Sequence, residues 1–314
     1  MLSYQHAYHA GNHADILKHL TLSLVARYFA LKDKPFTYLD SHAGAGLYRI
    51  DSEESRTTGE AAAGILSLMD RSDAPEPLGP YLSLCRALRE RGLMPGSGEV
   101  VRSFARDTDR LMLMEKHPQE IRALEANMGC HRNVAVHYRD GWDALVSLTP
   151  PAIRRGFCLV DPSYEEVAEY PRAADTLNVV RRRWNVGTLC LWYPLVGRRS
   201  SHIAAMKTAF GLDGLSGGDL ETGTLVLDSP EPAVLCAELC VRPPSGGPTA
   251  GAPPAGRLPG DAPSQGFGLY GSGMIVVRPP WKLAGELFTC LSWLASALEE
   301  TPGSGSWSLF TSCC

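Results

Sequence analysis

Apolar runs that stop at an acidic residue recur along this chain, and the repetition limits the available folds more than any other feature. Leu111-Met112-Leu113-Met114 ends at Glu115, Val134 to Tyr138 is followed by Asp140, and Phe157-Cys158-Leu159-Val160 ends at Asp161. Between the runs the apolar spacing turns helical, and strands alternating with helices build a mostly parallel sheet covered on both faces. The carboxyl ends of such strands converge on one crevice. The predicted fold is therefore α/β, a Rossmann-like, mostly parallel doubly wound sheet with its acids gathered at one rim.

The same reading extends to both sides of these runs. Apolar residues from Ile16 to Phe29 predict a helix over Asp15 to Leu31, and Phe36 to Asp40 predicts a strand running into Ser41-His42-Ala43-Gly44-Ala45-Gly46. Such a small-residue turn lets a ligand approach the backbone closely. Further strands are predicted at Thr188 to Tyr193, at Thr224 to Leu227 or Leu235 to Val241, and at Met274 to Val277. One spacing breaks the plan: the acid-ended strand after the first turn comes about 70 residues later, where a doubly wound unit needs ~20. Two predicted helices, Gly59 to Asp70 and Leu78 to Arg91, occupy the gap around the linker Ser72 to Pro77. Pro95-Gly96-Ser97-Gly98 then opens a helix to about Arg106.

The predicted organisation is an N-terminal lid and domain start (1–47), an inserted helical subdomain (48–94), and the remainder of the main domain (95–314). Within that last part, 242–268 is rich in Pro, Gly and Ser and reads as a flexible loop. The tail after Pro302 shows no period, with Trp307 and Phe310 as its candidate anchors.

Composition excludes more than it selects. At 314 residues and 44% hydrophobic content the chain can bury a large core, while a formal net charge of -4 restricts any nucleic-acid surface to a local patch. The clusters Arg154-Arg155, Arg181-Arg182-Arg183 and Arg198-Arg199 are candidates, although each also fits a solvated face. Nine scattered cysteines without a C-x-x-C pair argue against structural zinc and for a reducing, cytoplasmic setting. No stretch has the length and apolarity of a membrane span, so no membrane partner is expected.

Each strand-end acid suits part of an adenosyl cofactor. Glu115 can accept both ribose hydroxyls, and Asp140 beside Gly141 can hold the adenine amino group. The chain has no G-x-G-x-x-G run, and Asp161-Pro162-Ser163-Tyr164 favours S-adenosylmethionine over NAD. Asp161 and the Pro162 carbonyl can accept hydrogen bonds from the exocyclic amine of a flipped base, while Tyr164 stacks on its face. The same four residues also fit an ordinary turn with Tyr164 covering the core edge. At the N-terminus, Tyr4, His6, His9, Asn12, His13, Asp15, Lys18 and His19 form a second constellation. Histidine spacings of three, four and six without a Cys or paired Glu do not make a tetrahedral metal set. The block is read as a lid contacting cofactor and nucleic acid, with surface histidines on an amphipathic helix as the alternative.

Taken together these residues resemble the RlmJ family of bacterial 23S rRNA adenine-N6 methyltransferases. The matching segments are Met1-Leu2-Ser3-Tyr4 through Asp15, Leu17-Lys18-His19, Tyr38-Leu39-Asp40 with His42 to Gly46, Thr58-Gly59-Glu60, Pro95-Gly96-Ser97, Leu191-Trp192-Tyr193-Pro194, Ser272 to Val276, and Pro279-Pro280-Trp281-Lys282-Leu283. The resemblance implies a class I S-adenosylmethionine-dependent methyltransferase whose partner is 23S rRNA; a monomer is the expected state. The resemblance places Lys18, His19, His42, Gly44, Ser97, Glu115, Asp140, Gly141 and Asp161 at the cofactor, Asp161, Pro162 and Tyr164 in catalysis, and Tyr4 on the RNA. In two respects the chain departs from the pattern: the Pro/Gly-rich stretch around Arg242 to Gly268 is longer than the family's connection there, and Ser163 stands where the family motif has proline, which restores backbone freedom worth roughly 0.4–1 kcal/mol and is expected to loosen the turn. The same chemistry on DNA adenine, and a weakened RNA-binding homologue, are the competing expectations.

Overall fold

The structure, a computed structural model, describes residues 6–212, 233–244 and 268–312. Tyr4, the candidate strand at Thr224 to Leu227 and most of the 242–268 segment lie outside the described residues. The strands are β1 (Thr37–Asp40), β2 (Leu47–Arg49), β3 (Leu93–Pro95), β4 (Arg110–Glu115), β5 (Val134–Tyr138), β6 (Gly156–Val160), β7 (Thr188–Val196), β8 (Val234–Cys240), β9 (Leu269–Val277) and β10 (Ser306–Ser312). Eight of them form one sheet in the order β10-β8-β9-β7-β6-β1-β4-β5. From β5 to β7 all neighbours are parallel; β9 and β10 run against the rest. The sheet is thus mostly parallel, and its switch point falls between β1 and β6, where Asp40 pairs in register with Leu159.

Strand parity decides which acids meet. Tyr38 and Phe157 pack together on one face, their rings 4.9 Å apart, whereas Leu39 and Cys158 belong to the core of the other face. Side chains alternate along a strand, so Asp40, two residues after Tyr38, and Asp161, four after Phe157, emerge on the Tyr38 face. That face is covered by the His13–Ala30 helix, which the Asn12 side chain caps by accepting from Ala14 N and Asp15 N. The expected start at Asp15 was two residues late because this cap precedes it. The helix is buried on almost every side, Lys18 and His19 included. It is therefore not the amphipathic surface helix of the alternative reading.

Other elements differ from expectation for local reasons. The single helix expected over 59–70 is two short ones, Glu60–Ala63 and Ile65–Leu68, with a further short helix, Glu53–Thr58, ahead of them. Gly59 ends this leading helix in the left-handed region at φ 66°. Gly64 divides the other two because its backbone lies against Gly11: a β-carbon there would collide with the Gly11 carbonyl, which accepts from Ile65 N at 2.8 Å. The next expected helix runs over Gly79–Arg89, and the helix opening at Ser97 ends at Arg102. Below this segment β2 and β3 pair antiparallel, Tyr48 opposite Met94; three-residue strands are too short to show a period. The tail is the edge strand β10, held on opposite faces by Trp307 against Phe288 (5.5 Å between rings) and by Phe310 under the Lys207 ammonium (5.7 Å). Among the described residues no helix is long and apolar enough to cross a membrane.

Candidate active site

At the carboxyl ends of β1, β4, β5 and β6 opens a cavity of about 1470 Å³, bounded by the N-terminal helix, the short helices after β2, and the loops following β6 and β7. This exceeds the ~300–1,000 Å³ of a pocket for one small ligand. His42, Gly44, Ser97, Glu115, Asp140, Gly141, Asp161, Pro162 and Tyr164 all line it, together with Lys18.

Beneath the turn after β1 lies Asp40, which the sequence reading passed over as a strand residue. Its carboxylate is fully buried and accepts from Tyr38 Oη (2.7 Å), Ser97 Oγ (2.6 Å) and the His42 amide (3.3 Å). Burial pushes its carboxyl up to about 6 against the pull of these donors, with the Asp161 charge adding to the rise. His42 itself is lowered to about 4 by burial; its Nδ1 lies 2.7 Å from Ser41 Oγ and its ring meets Trp142 edge-on at 5.0 Å. Gly44 sits at φ 57°, and a β-carbon there would strike the Tyr48 hydroxyl.

The next two acids are fixed by backbone. Glu115 accepts from Gly44 N at 2.9 Å through one oxygen, and from Lys116 N (2.7 Å) and His117 N (2.6 Å) through the other. Those bonds tie the β4 acid to the glycine turn after β1, so one ligand can span both. Asp140 caps the Gly141–Leu148 helix by accepting from Trp142 N at 3.0 Å, and Lys116 Nζ reaches its other oxygen at 3.0 Å. Burial pulls this carboxyl upward, but the Lys116 ammonium, the cap bond and Arg172 leave it below the ordinary value. Gly141 has no room for a side chain, since a β-carbon would overlap the Ser41 carbonyl.

The turn after β6 is held by charge. Lys18 Nζ contacts Asp161 Oδ2 and Asp15 Oδ1, each at 2.7 Å, and Asp15 Oδ2 lies 3.0 Å from His6 Nε2. Burial works to lower the Lys18 ammonium, yet the two carboxylates hold it above the ordinary lysine value. Asp161 Oδ1 has no hydrogen bond among the described residues. Tyr164 adopts φ 53°, a left-handed backbone rare for a large residue. Its hydroxyl donates to the Trp192 carbonyl at 2.9 Å and its ring lies 4.5 Å from Tyr170. Tyr164 thus belongs both to the core under the β6 to β7 edge and to the cavity wall.

His19 is not brought to the cavity. Its ring is 1% exposed beneath the floor, with Nδ1 3.3 Å from Tyr81 Oη, and burial lowers it to about 3. Being one residue beyond Lys18, it turns about 100° around the helix from the cavity. His9 and Asn12 instead clasp Glu60, at 3.0 and 2.9 Å. Among the described residues no group of three or more histidine, cysteine or carboxylate side chains could hold a metal ion. Sequence reasoning named Asp40 and Trp192 only inside matching segments, without a role for either, and passed over Trp142; strand parity was the further signal for Asp40.

A family model described as Ribosomal RNA large subunit methyltransferase D, RlmJ, matches residues 33–213. The chain is 34% identical over 313 residues to Ribosomal RNA large subunit methyltransferase J of Haemophilus influenzae, covering 98% of each. It is 34% identical over 301 residues to the Escherichia coli protein of the same name, covering 95% of this chain and 94% of that one. The crystal structure of protein LPL1258 from Legionella pneumophila matches with a TM-score of 0.77 at 26% identity, over 97% of this chain and 98% of that one. With a family model matching from ahead of β1 to beyond β7 and relatives aligned almost end to end, the chain belongs to the RlmJ family of large-subunit ribosomal RNA methyltransferases.

Proposed function

We propose that this chain transfers a methyl group from S-adenosylmethionine to N6 of an adenine in 23S rRNA. One observation carries the reading: Asp161-Pro162-Ser163-Tyr164 opens into the same cavity as Glu115, Asp140 and the glycine turn, at the switch point of the sheet. The residues fit the cofactor, because Gly44 leaves no side chain over the turn and Glu115 is already oriented by three backbone amides. His42, Gly44, Ser97, Glu115, Asp140, Gly141 and Asp161 hold it, Lys18 acts through Asp161, and His19 acts only through packing of the floor. When bound, the cofactor supplies an electrophilic methyl group.

The protein's share is orientation. Asp161 Oδ1, without a hydrogen bond among the described residues, and the Pro162 carbonyl accept the two N6–H hydrogens, while Lys18 keeps the carboxylate fixed. Tyr164 and Trp192 supply the aromatic wall for a base flipped out of its stack, and Tyr4 contacts the RNA. Proximity provides most of the acceleration, and the N6 proton leaves afterwards to water.

Methyl transfer to protein-free 23S rRNA and to duplex DNA, with S-adenosylmethionine affinity measured in parallel, tests the reading. Transfer to rRNA alone, with cofactor affinity weakened by Asp161→Ala and His42→Ala, is the expected result. Equal transfer to DNA removes the RNA assignment, and cofactor affinity indifferent to both substitutions removes the site.

A further inference from the structure

Ser163 was expected to loosen the catalytic turn, yet its hydroxyl is engaged. Ser163 Oγ donates to Glu169 Oε2 at 3.3 Å and accepts from the Glu165 amide at 3.5 Å. Glu169 is the first residue of the Glu169–Arg183 helix and lines the cavity beside the turn. The Tyr164 and Glu166 backbone amides lie near enough to the same carboxylate to draw its pKa downward. Burial raises its carboxyl, against the downward pull of the Ser163 hydrogen bond and those amides. One residue further along the helix, Tyr170 packs against Tyr164 at 4.5 Å. Helix start and turn therefore meet twice, once through Ser163 and once through Tyr164.

The turn needs such a brace. Tyr164 holds a left-handed backbone, which a large residue keeps only where its surroundings impose it. A proline at 163 would restrict the preceding chain by its ring; a serine has no such restriction but offers a hydroxyl donor.

We propose that Glu169 is the positioning residue of the catalytic turn in this chain, its carboxylate binding the Ser163 hydroxyl and so holding Asp161 to Tyr164 in place of the stiffness a proline would supply. This rests on the adenine-methylation reading above. Glu169 does not touch the reacting atoms; it fixes the geometry of Asp161 and Pro162, which do. A simple helix-start acid would add stability through the helix dipole and would be indifferent to what stands at 163.

The test is a double-mutant cycle on methyl transfer to protein-free 23S rRNA, with kcat, KM for S-adenosylmethionine and Tm recorded for each protein. Glu169→Ala is expected to lower kcat on the order of tenfold with KM for the cofactor unchanged. Ser163→Ala, which leaves Glu169 in place, is expected to show the same loss, and the double variant no more than either single one. Ser163→Pro combined with Glu169→Ala is expected to recover most of the rate. Wild-type kcat in Glu169→Ala, additive losses in the double variant, a loss that proline does not rescue, or a change confined to Tm overturns the inference. A wild-type protein that methylates no adenine overturns the reading of the reaction, and this inference with it; an active wild type indifferent to Glu169 overturns the inference alone.

Discussion

Asp40 and Asp161 end neighbouring strands on the same face of the sheet, and the fold treats them in opposite ways. Asp40 is enclosed by neutral donors, two hydroxyls and one amide, and its carboxyl rises to about 6. Asp161 faces an ammonium at 2.7 Å, which a second carboxylate, Asp15, also grips. Burial behind neutral donors gives direction and leaves a carboxylate that gains protons easily despite those donors; a buried cation gives a fixed position at the cost of a brittle pair. The first arrangement suits a residue that shapes a cofactor turn, and the second suits one that must keep its lone pairs for a substrate.

The largest expected effect comes from breaking the charged side. Asp161→Ala should reduce kcat for rRNA methylation about 10²- to 10³-fold, the loss typical of one oriented hydrogen-bonding group at a reacting centre. Its stability should fall less, because Lys18 retains Asp15. A single-turnover assay alongside urea unfolding separates the two, and a rate within tenfold of wild type would leave Asp161 without a catalytic role. Lys18→Met removes the cation from two carboxylates at once, leaving Asp161 without its partner while Asp15 keeps His6 and the Gly11 amide, and should cost roughly 3 kcal/mol of stability. A urea midpoint unchanged by that substitution would show that the pair carries no net stability.

The neutral side should respond to pH instead. Protonating Asp40 turns one acceptor oxygen into a donor, so a Ser97 or Tyr38 hydroxyl loses its partner. Affinity for S-adenosylmethionine is expected to fall as pH drops through about 6. His42, held near 4, stays neutral across that range and does not mask the effect. Stability runs the other way. The folded carboxyl at about 6 lies above the unfolded ~3.9, so the fold binds the proton more tightly, and Asp40's contribution worsens as pH rises from about 4 to 6. Asp40→Asn should weaken cofactor binding about tenfold, since one amide oxygen cannot serve three donors. It should also flatten the pH dependence of binding, and calorimetry from pH 5 to 8 that finds the same slope in the variant would assign the titration elsewhere.

How far this contrast was legible in the sequence follows from what each arrangement depends on. The acids at 115, 140 and 161 were readable because each ends a run of period-two or fully apolar residues. The parallel half of the sheet was readable for the same reason. Asp40 has the same strand-end signature, but its meaning lies in Ser97, which is 57 residues away and comes close only because the β2–β3 ribbon folds the intervening segment out of the plan. His19 was misplaced because a motif gives order along the chain and not angle around a helix. Ser163 was read as a loss because its partner, Glu169, is visible only once the turn and the following helix are built.

The weakest effect is expected where the two strategies mix. His9 Nδ1 lies 3.0 Å from Glu60, clasping the N-terminal segment to the short helices after β2, with both side chains more than a third open to solvent. The Glu60 hydrogen bond raises His9 above its ordinary 6.5, against the downward pull of burial. A raised histidine adds stability that is complete below about 6.5 and is lost as pH climbs through the folded value, so the clasp should loosen on the alkaline side. Solvent screening limits the size to a few tenths of a kcal/mol. The Ile65 amide, which bonds the Gly11 carbonyl across this contact, is the place to measure it. Its protection free energy from hydrogen exchange should decline between pH 6 and 9 in the wild type and stay level in His9→Ala. A decline of equal size in the variant would mean that the backbone contact between Gly11 and Ile65, and not the His9–Glu60 pair, holds the two segments together.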